Sequence, residues 1–84
     1  MAVADHLPDD LAAVLRFEAR HAGVPDERLV DLVRQAFGID LIRYRQRLYA
    51  AVTHPAAEAL EPATVRRLRR IVARHRRGCP TQEA

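Results

Sequence analysis

Apolar residues recur every three or four positions through most of this 84-residue chain, which is the spacing of one helix face. The N-terminal segment predicts a helix from about Pro8 to Ala22, because Pro8 suits a first turn and acidic residues favour a helix N terminus. Prolines and glycines interrupt the apolar pattern at helix-length intervals, and no strand pattern survives between them. These breaks fall at Pro8, Gly23, Pro25, Gly38, Pro55, Pro62, Gly78 and Pro80.

Three further helices and one short turn follow from the same signals. Pro25 opens a second helix, and Gly38 ends it by supplying the left-handed backbone conformation that glycine adopts at little cost. Asp40 caps a third helix that runs to about Thr53. The remaining predicted elements are a short helical turn near Ala56 to Leu60 and a last helix from Pro62 to Gly78.

The segment LVDLVRQAFGIDLIRYRQRLYAAV, residues 29–52, has the pattern of a helix-turn-helix. Such a motif needs two packed helices, a tight turn that glycine often makes, and a second helix with one buried and one polar face. In the third helix the apolar side includes Tyr44, which we interpret as a core residue. The exposed set, and the candidate DNA-binding residues of this helix, are Ile42, Arg43, Arg45, Gln46 and Tyr49.

The chemistry of this exposed set matches the edges of base pairs. Arginine pairs with guanine or phosphate, glutamine pairs with adenine, and an aliphatic side chain such as Ile42 contacts a thymine methyl group. Tyr49 is suited either to a phosphate hydrogen bond or to packing at the rim of the core. The alternative interpretation is that the segment is a turn between two packed helices with no role in DNA binding.

Positive charge is concentrated in the second half of the chain. Residues 1–31 hold seven acids and three arginines, a net charge of −4, whereas residues 32–84 hold four acids and 11 arginines, a net charge of +7. A basic half on a small domain favours a polyanionic partner, and nucleic acid fits better than a membrane because no Trp or Phe lines the basic helices. The alternative is a charged surface that is merely solvated.

The last helix is rich in arginine and its apolar stripe is thin. Four of its arginines are predicted to point away from the apolar stripe and to follow the phosphates of a duplex. These candidate DNA-binding residues are Arg66, Arg69, Arg70 and Arg77. The alternative is that the helix is solvated or pairs with acids of the first half, such as Asp9, Asp10, Glu18 and Asp31.

No catalytic or metal-binding constellation is recognisable. Glu18 lies within an apolar arc and is expected to have an arginine partner, but the pattern places no second acid or base beside it. The four histidines lack metal-ligand spacing, there is no glycine-rich phosphate loop, and the chain has no serine. We therefore expect a protein that is not an enzyme, with no metal, no cofactor and no small-molecule substrate.

Cysteine usage and hydropathy indicate a cytoplasmic protein. Cys79 is the only cysteine, so an internal disulfide is not possible, which suits a reducing compartment. The first ten residues are acidic where a signal peptide is basic and then apolar, and no apolar run approaches the roughly 18 residues of a membrane span. The sequence predicts a soluble protein of the cytoplasm, located at the nucleoid, with no membrane partner.

Several of these residues form a pattern that resembles a small actinobacterial family of unknown function. The shared run is FG…RY.Q.L, followed by HPAAEALEP and VRRLRR, and a Phe17-Glu18 pair matches the FE pair that opens the first helix of that family. The resemblance covers about Leu15 to Arg77. It implies a compact helix-turn-helix-like fold but no assigned activity.

The chain departs from that family at four places. His21 and Ala22 stand near a usual tryptophan pair, and Asp40 replaces a serine cap while keeping the capping chemistry. Arg45 stands where that family has a tyrosine, and it adds a contact for phosphate or guanine. Tyr49 stands where the family has an asparagine, so one side chain suited to a base contact is lost. The target preference of the family therefore need not carry over.

These features together predict an all-α, compact four-helix single domain containing a helix-turn-helix. Residues 8–78 form the domain, residues 1–7 are expected to be frayed, and residues 79–84 to form a flexible tail. The leading hypothesis is a small bacterial protein that binds double-stranded DNA, either a nucleoid-associated protein or a transcriptional regulator. A homodimer is expected because the core is small. The alternative function is a protein-interaction module that docks an acidic partner.

Overall fold

The protein is all-helical over the residues that the computed structural model describes, which are 6–78 for the backbone and 6–75 for the side chains. Five helices follow one another in a single compact domain. Their bounds are α1 Asp9–Arg20, α2 Asp26–Phe37, α3 Leu41–Thr53, α4 Ala57–Leu60 and α5 Pro62–Gly78. The predicted fraying of residues 1–5 and the predicted tail, residues 79–84, lie outside the described residues.

The predicted helices are confirmed, with one difference in their number. The segment expected to be a helical turn forms the short helix α4, whose end is closed by a hydrogen bond from Glu61 N to Ala57 O at 3.1 Å. The domain therefore has five helices where four and a turn were predicted. The N-terminal boundary also differs, because Leu7 is buried in the core instead of belonging to a frayed segment.

The connection between α2 and α3 is built from Gly38, Ile39 and Asp40. Gly38 has φ +70° and ψ +22°, and its N–H donates to Arg34 O at 2.9 Å, so it ends α2 in the left-handed conformation. Asp40 then accepts a hydrogen bond on Oδ1 from the backbone N–H of Arg43 at 2.8 Å. The cap predicted for α3 is thereby confirmed, and the turn fixes where α3 begins relative to α2.

Gly38→Val is expected to lower the free energy of unfolding by at least about 1–2 kcal/mol, which is the cost of a left-handed conformation for an L-residue. No atom beyond its chain neighbours lies within 4 Å of a Cβ built at Gly38, so the expected loss comes from backbone strain and not from a clash. Urea unfolding measures the loss. Gly38→Asn is the control, because asparagine tolerates this conformation, and equal losses in both variants would contradict the assignment.

The core has two apolar clusters that meet at α3. One contains Leu15, Ala51, Val52 and Val65, and the other contains Val14, Phe17, Leu29, Val33 and Tyr44. Leu48 packs against both clusters, and α3 contacts each of the other four helices. Because every other element packs on α3, its buried side is fixed in orientation and its remaining side is presented to solvent.

None of the helices in the described part of the chain is long and apolar enough to cross a membrane.

Candidate functional site

The buried side of α3 is anchored by Tyr44, which has no exposed surface. Its ring makes an edge contact with Phe17, with the centroids 5.7 Å apart and the planes at 74°. Its hydroxyl donates a hydrogen bond of 2.7 Å to Oε1 of Glu18 on α1. The interpretation of Tyr44 as a core aromatic is confirmed, and the hydrogen bond fixes α3 against α1 by a polar contact as well as by packing.

Glu18 also has the arginine partner that its position predicted. Nη2 of Arg67 lies 3.5 Å from its Oε2, which links α5 to α1. Burial raises the pKa of the Tyr44 hydroxyl above its ordinary range, and the hydrogen bond to Glu18 and the charge of that carboxylate raise it further. Tyr44 therefore stays protonated and acts as the donor of this network, not as a base.

The opposite side of α3 presents a surface that we call the α3 outer surface, formed by Ile42, Arg43 and Gln46. All three side chains are exposed, and Ile42 is 70% exposed, the most of any large hydrophobic residue described. Arg43 uses its backbone N–H in the Asp40 cap, while its guanidinium makes no ion pair with an acid of the described residues. The structure thus brings together three of the five residues predicted on this helix.

The other two predicted residues of α3, Arg45 and Tyr49, lie on the flank that faces α5. Arg45 Nη2 is 2.6 Å from Oδ1 of Asp26, and both side chains are more than half exposed. An ion pair as exposed as this contributes only about 0.2–1 kcal/mol, so a phosphate can replace the carboxylate at little cost. Tyr49 is 46% exposed and lines an apolar groove with Val52, Leu68 and other residues of α3 and α5.

Arg69 was predicted to point to solvent, and that prediction is wrong. Its Nε donates to the carbonyl of Val52 at 3.0 Å and its Nη2 to the carbonyl of His54 at 3.4 Å, while Nη1 lies 3.2 Å from Oε1 of Glu58. These carbonyls lie at the C-terminal end of α3, where helix carbonyls lack intrahelical partners and positive charge is favourable. Arg69 therefore joins α5 to the end of α3 and to α4.

Arg69→Ala is expected to lower the free energy of unfolding by about 1–3 kcal/mol, because it removes the part-buried hydrogen bond to the Val52 carbonyl, whereas the His54 carbonyl keeps the N–H of Ala57 at 3.1 Å as a donor. Arg70→Ala is the matched control, with the same charge on the same helix but an exposed side chain, and its effect is expected to stay within about 0.5 kcal/mol. Chemical denaturation of both variants measures the difference. Equal losses would show that the capping contacts contribute nothing.

The solvent-facing side of α5 carries what we call the α5 arginine stripe: Arg66, Arg70 and Arg74. All three side chains are exposed and lie four residues apart, on one side of the helix. Nε of Arg66 is 3.0 Å from Oε2 of Glu58 in an exposed ion pair. Arg70 and Arg74 have no ion pair with an acid of the described residues.

One member of the α5 arginine stripe was not among the predicted residues. Arg74 was not predicted as a site residue, although its four-residue spacing from Arg70 was a signal for including it. The side chain of Arg77 lies outside the described residues. Of the four arginines predicted on this helix, the structure therefore groups Arg66 and Arg70 with Arg74 and assigns Arg69 a structural contact.

The structure does not bring the α3 outer surface and the α5 arginine stripe together. A cavity of about 480 Å³ lies between α1, α2, α3 and the C-terminal part of α5, and the residues that line it include Glu18, Asp26, Arg45, Ile71 and His75. Two of these residues are acids. None of the arginines of the two sets lines this cavity or the apolar groove between α3 and α5, so neither set faces the space between the two helices.

The chain belongs to the DUF3263 family of proteins of unknown function, because the model of that family matches residues 6–78. The resemblance to a family of unknown function, drawn from the motifs of the sequence, is thus confirmed. No curated protein and no solved structure matches the chain. Family membership assigns no activity, so the function has to be inferred from the surface of the domain.

Proposed function

We propose that this DUF3263 protein binds double-stranded DNA, with α2, the turn from Gly38 to Asp40 and α3 serving as a helix-turn-helix. In this proposal the α3 outer surface enters the major groove. Support comes from the left-handed Gly38, from the Asp40 cap and from an α3 whose buried side is held by α1 and α2. A rigid helix with one free face is what reading a groove requires.

The observation that carries the proposal is the exposure of Ile42. A large aliphatic side chain that is 70% exposed does not gain the stability that burial would give it. It stands at the start of α3 between Arg43 and the Asp40 cap, and the N-terminal residues of a recognition helix are those that contact base edges. Packing of Ile42 against a thymine methyl group would provide that burial.

The chemistry around Ile42 supplies the remaining contacts. Arg43 is suited to a guanine edge or a phosphate, and Gln46, one turn further on, to an adenine edge. Arg45 sits on the flank and can exchange Asp26 for a phosphate oxygen, since its ion pair is exposed. With Arg45 on the flank included, α3 exposes two arginine side chains and one amide side chain, which favours backbone and shape recognition, and hence a nucleoid-associated protein over a sequence-specific regulator.

Electrophoretic shift of random and genomic duplexes at several salt concentrations tests the proposal. We expect binding at low salt and a linear fall of log K with log salt, because each neutralised phosphate releases counterions. Comparison of the two kinds of duplex distinguishes a regulator from a nucleoid-associated protein. Absence of any shift at the lowest salt would overturn the proposal.

A second candidate function is the docking of an acidic protein partner. It is favoured by the apolar groove between α3 and α5, where Tyr49 and Ile71 are 46% and 44% exposed. Neither α3 nor α5 contains an acid, so an occupant with acidic flanks would be attracted. We expect Ile71→Asp to weaken docking of a protein but not binding of DNA, because it places a charge in this groove and leaves the residues of the α3 outer surface unchanged.

We also propose that two copies pair, because the domain is small and one helix-turn-helix unit binds weakly. Sedimentation of the protein at high concentration measures the mass directly. A monomer at every concentration would reject the dimer without affecting DNA binding by a single copy.

A further inference from the structure

We propose that a single copy of this chain links two DNA duplexes, one held by the α3 outer surface and the other by the α5 arginine stripe. This inference rests on the proposed DNA binding. It goes beyond that proposal because it assigns the α5 stripe to a second duplex and gives the protein a bridging activity. Three features of the structure support it: the direction in which each surface faces, an exposed acid between the two surfaces, and arginines on each surface that have no ion pair with an acid of the described residues.

The α5 arginine stripe faces away from α3. Leu68 and Val72 line the groove that α5 forms with α3, so they mark the side of α5 that faces α3. Residues two apart on an α-helix point about 160° apart. Arg70 is two residues from both Leu68 and Val72, and its guanidinium is therefore directed to the side of α5 that is opposite α3.

The α3 outer surface faces away from α5 by the same geometry. Leu48 and Val52 line the groove from the α3 side, and the Val52 carbonyl accepts the hydrogen bond from Arg69. Residues nine apart are separated by about two and a half turns, which is the opposite side of a helix. Arg43 is nine residues from Val52, so Arg43 and Arg70 point outward from opposite sides of the α3–α5 pair.

An exposed acid beside α3 disfavours one duplex that spans both surfaces. Asp26 lines the cavity that α1, α2, α3 and the C-terminal part of α5 bound, and its side chain is 64% exposed although it pairs with Arg45. A phosphate backbone that ran from Arg43 to the stripe would pass this carboxylate, and like charges repel. Two separate duplexes, each on one outward surface, avoid this repulsion.

Both surfaces hold cations that are free to bind phosphate. Arg43 on α3, and Arg70 and Arg74 on α5, have no ion pair with an acid of the described residues. The exposed pair of Arg66 with Glu58 is weak enough for a phosphate to displace the carboxylate. Each surface offers few cations to a duplex, so bridging should disappear at lower salt than binding of a single duplex.

Retention of a free, fluorescent duplex by a duplex fixed to beads tests the inference, with the full chain as the linker. We expect the wild type to retain the free duplex at low salt. Arg70→Ala combined with Arg74→Ala should abolish retention but preserve the gel shift of a single duplex, because the α3 outer surface still binds that duplex without these arginines. Arg16→Ala combined with Arg20→Ala is the matched control, since both arginines are exposed on α1, and it should retain the free duplex.

The possible failures are distinguishable. If the wild type shifts a single duplex but retains no second one, bridging is overturned and the proposed DNA binding stands. If retention persists in the Arg70 and Arg74 variant, the link comes from another source, such as a dimer with two α3 surfaces, and the inference is equally overturned. If the wild type shifts no duplex at all, the proposed function itself fails.

Discussion

Tyr44→Ala is expected to lower the free energy of unfolding by about 3–5 kcal/mol, the loss typical of removing a buried aromatic ring. Tyr44 is fully buried and contacts Phe17 and Phe37 in the cluster shared by α1, α2 and α3. A domain of this size has a total stability of only about 4–12 kcal/mol. The variant should therefore be close to unfolding, as urea denaturation followed by circular dichroism would show.

Two further substitutions separate the contributions of the ring and the hydroxyl. Tyr44→Phe keeps the packing but leaves the Glu18 carboxylate with Arg67 at 3.5 Å as its remaining partner. A hydrogen bond to a charged group contributes about 1.5–3 kcal/mol, which is the loss expected here. Tyr49→Ala is the matched control, because this tyrosine lies on the same helix but is 46% exposed. Of the three variants it should lower the free energy of unfolding the least. If Tyr49→Ala destabilised the domain as much as Tyr44→Ala does, the assignment of the buried side of α3 would be wrong.

Arg43→Ala combined with Gln46→Ala is expected to produce the largest loss of DNA affinity, because it removes the polar chemistry of the α3 outer surface. Each contact with a base edge contributes about 1–3 kcal/mol against the preferred sequence. Fluorescence anisotropy with labelled duplexes measures the loss. Arg16→Ala combined with Gln35→Ala is the matched control, since it removes the same two side-chain types from exposed positions of α1 and α2.

How the loss of affinity varies with the DNA sequence distinguishes base recognition from backbone recognition by the α3 outer surface. A regulator that reads bases should lose affinity mainly for its preferred duplex, so its specificity should fall. A nucleoid-associated protein should show smaller losses that are equal on all duplexes, because shape and backbone then supply most of the affinity. With Arg45 on the flank included, α3 exposes two arginine side chains and one amide side chain, which favours the second pattern. A control variant that lost as much affinity as the Arg43 and Gln46 variant would contradict the location of the interface.

Helix boundaries were predictable because their signals are local. Pro25, Gly38 and Asp40 each act through the few residues beside them, and the structure has the turn and the cap that they predict. Glu18 was recognisable as a residue in need of a partner, because a carboxylate within an apolar arc is costly unless it is paired. Its α5 partner Arg67 is 49 positions away, and the pattern alone did not identify it.

The contacts that were missed depend on how distant helices pack. Arg69 was expected to bind phosphate, whereas the carbonyls of Val52 and His54, 17 and 15 positions away, accept its hydrogen bonds. No pattern within α5 indicates that the end of α3 lies beside it. The opposite orientation of Arg43 and Arg70 likewise follows only from the way α5 crosses α3. The helices themselves were thus predictable, but the relation between their surfaces was not.

The most direct measurement is nuclear magnetic resonance of the isotope-labelled protein as a duplex is added at low salt. If the α3 outer surface contacts DNA, the resonances of the Ile42 methyl groups and of the backbone amides around Arg43 and Gln46 should shift. The resonances of the buried Val33 methyl groups and of the Gln35 amide on α2 should not shift. Shifts absent from α3, or confined to the groove lined by Tyr49 and Ile71, would contradict the proposed interface.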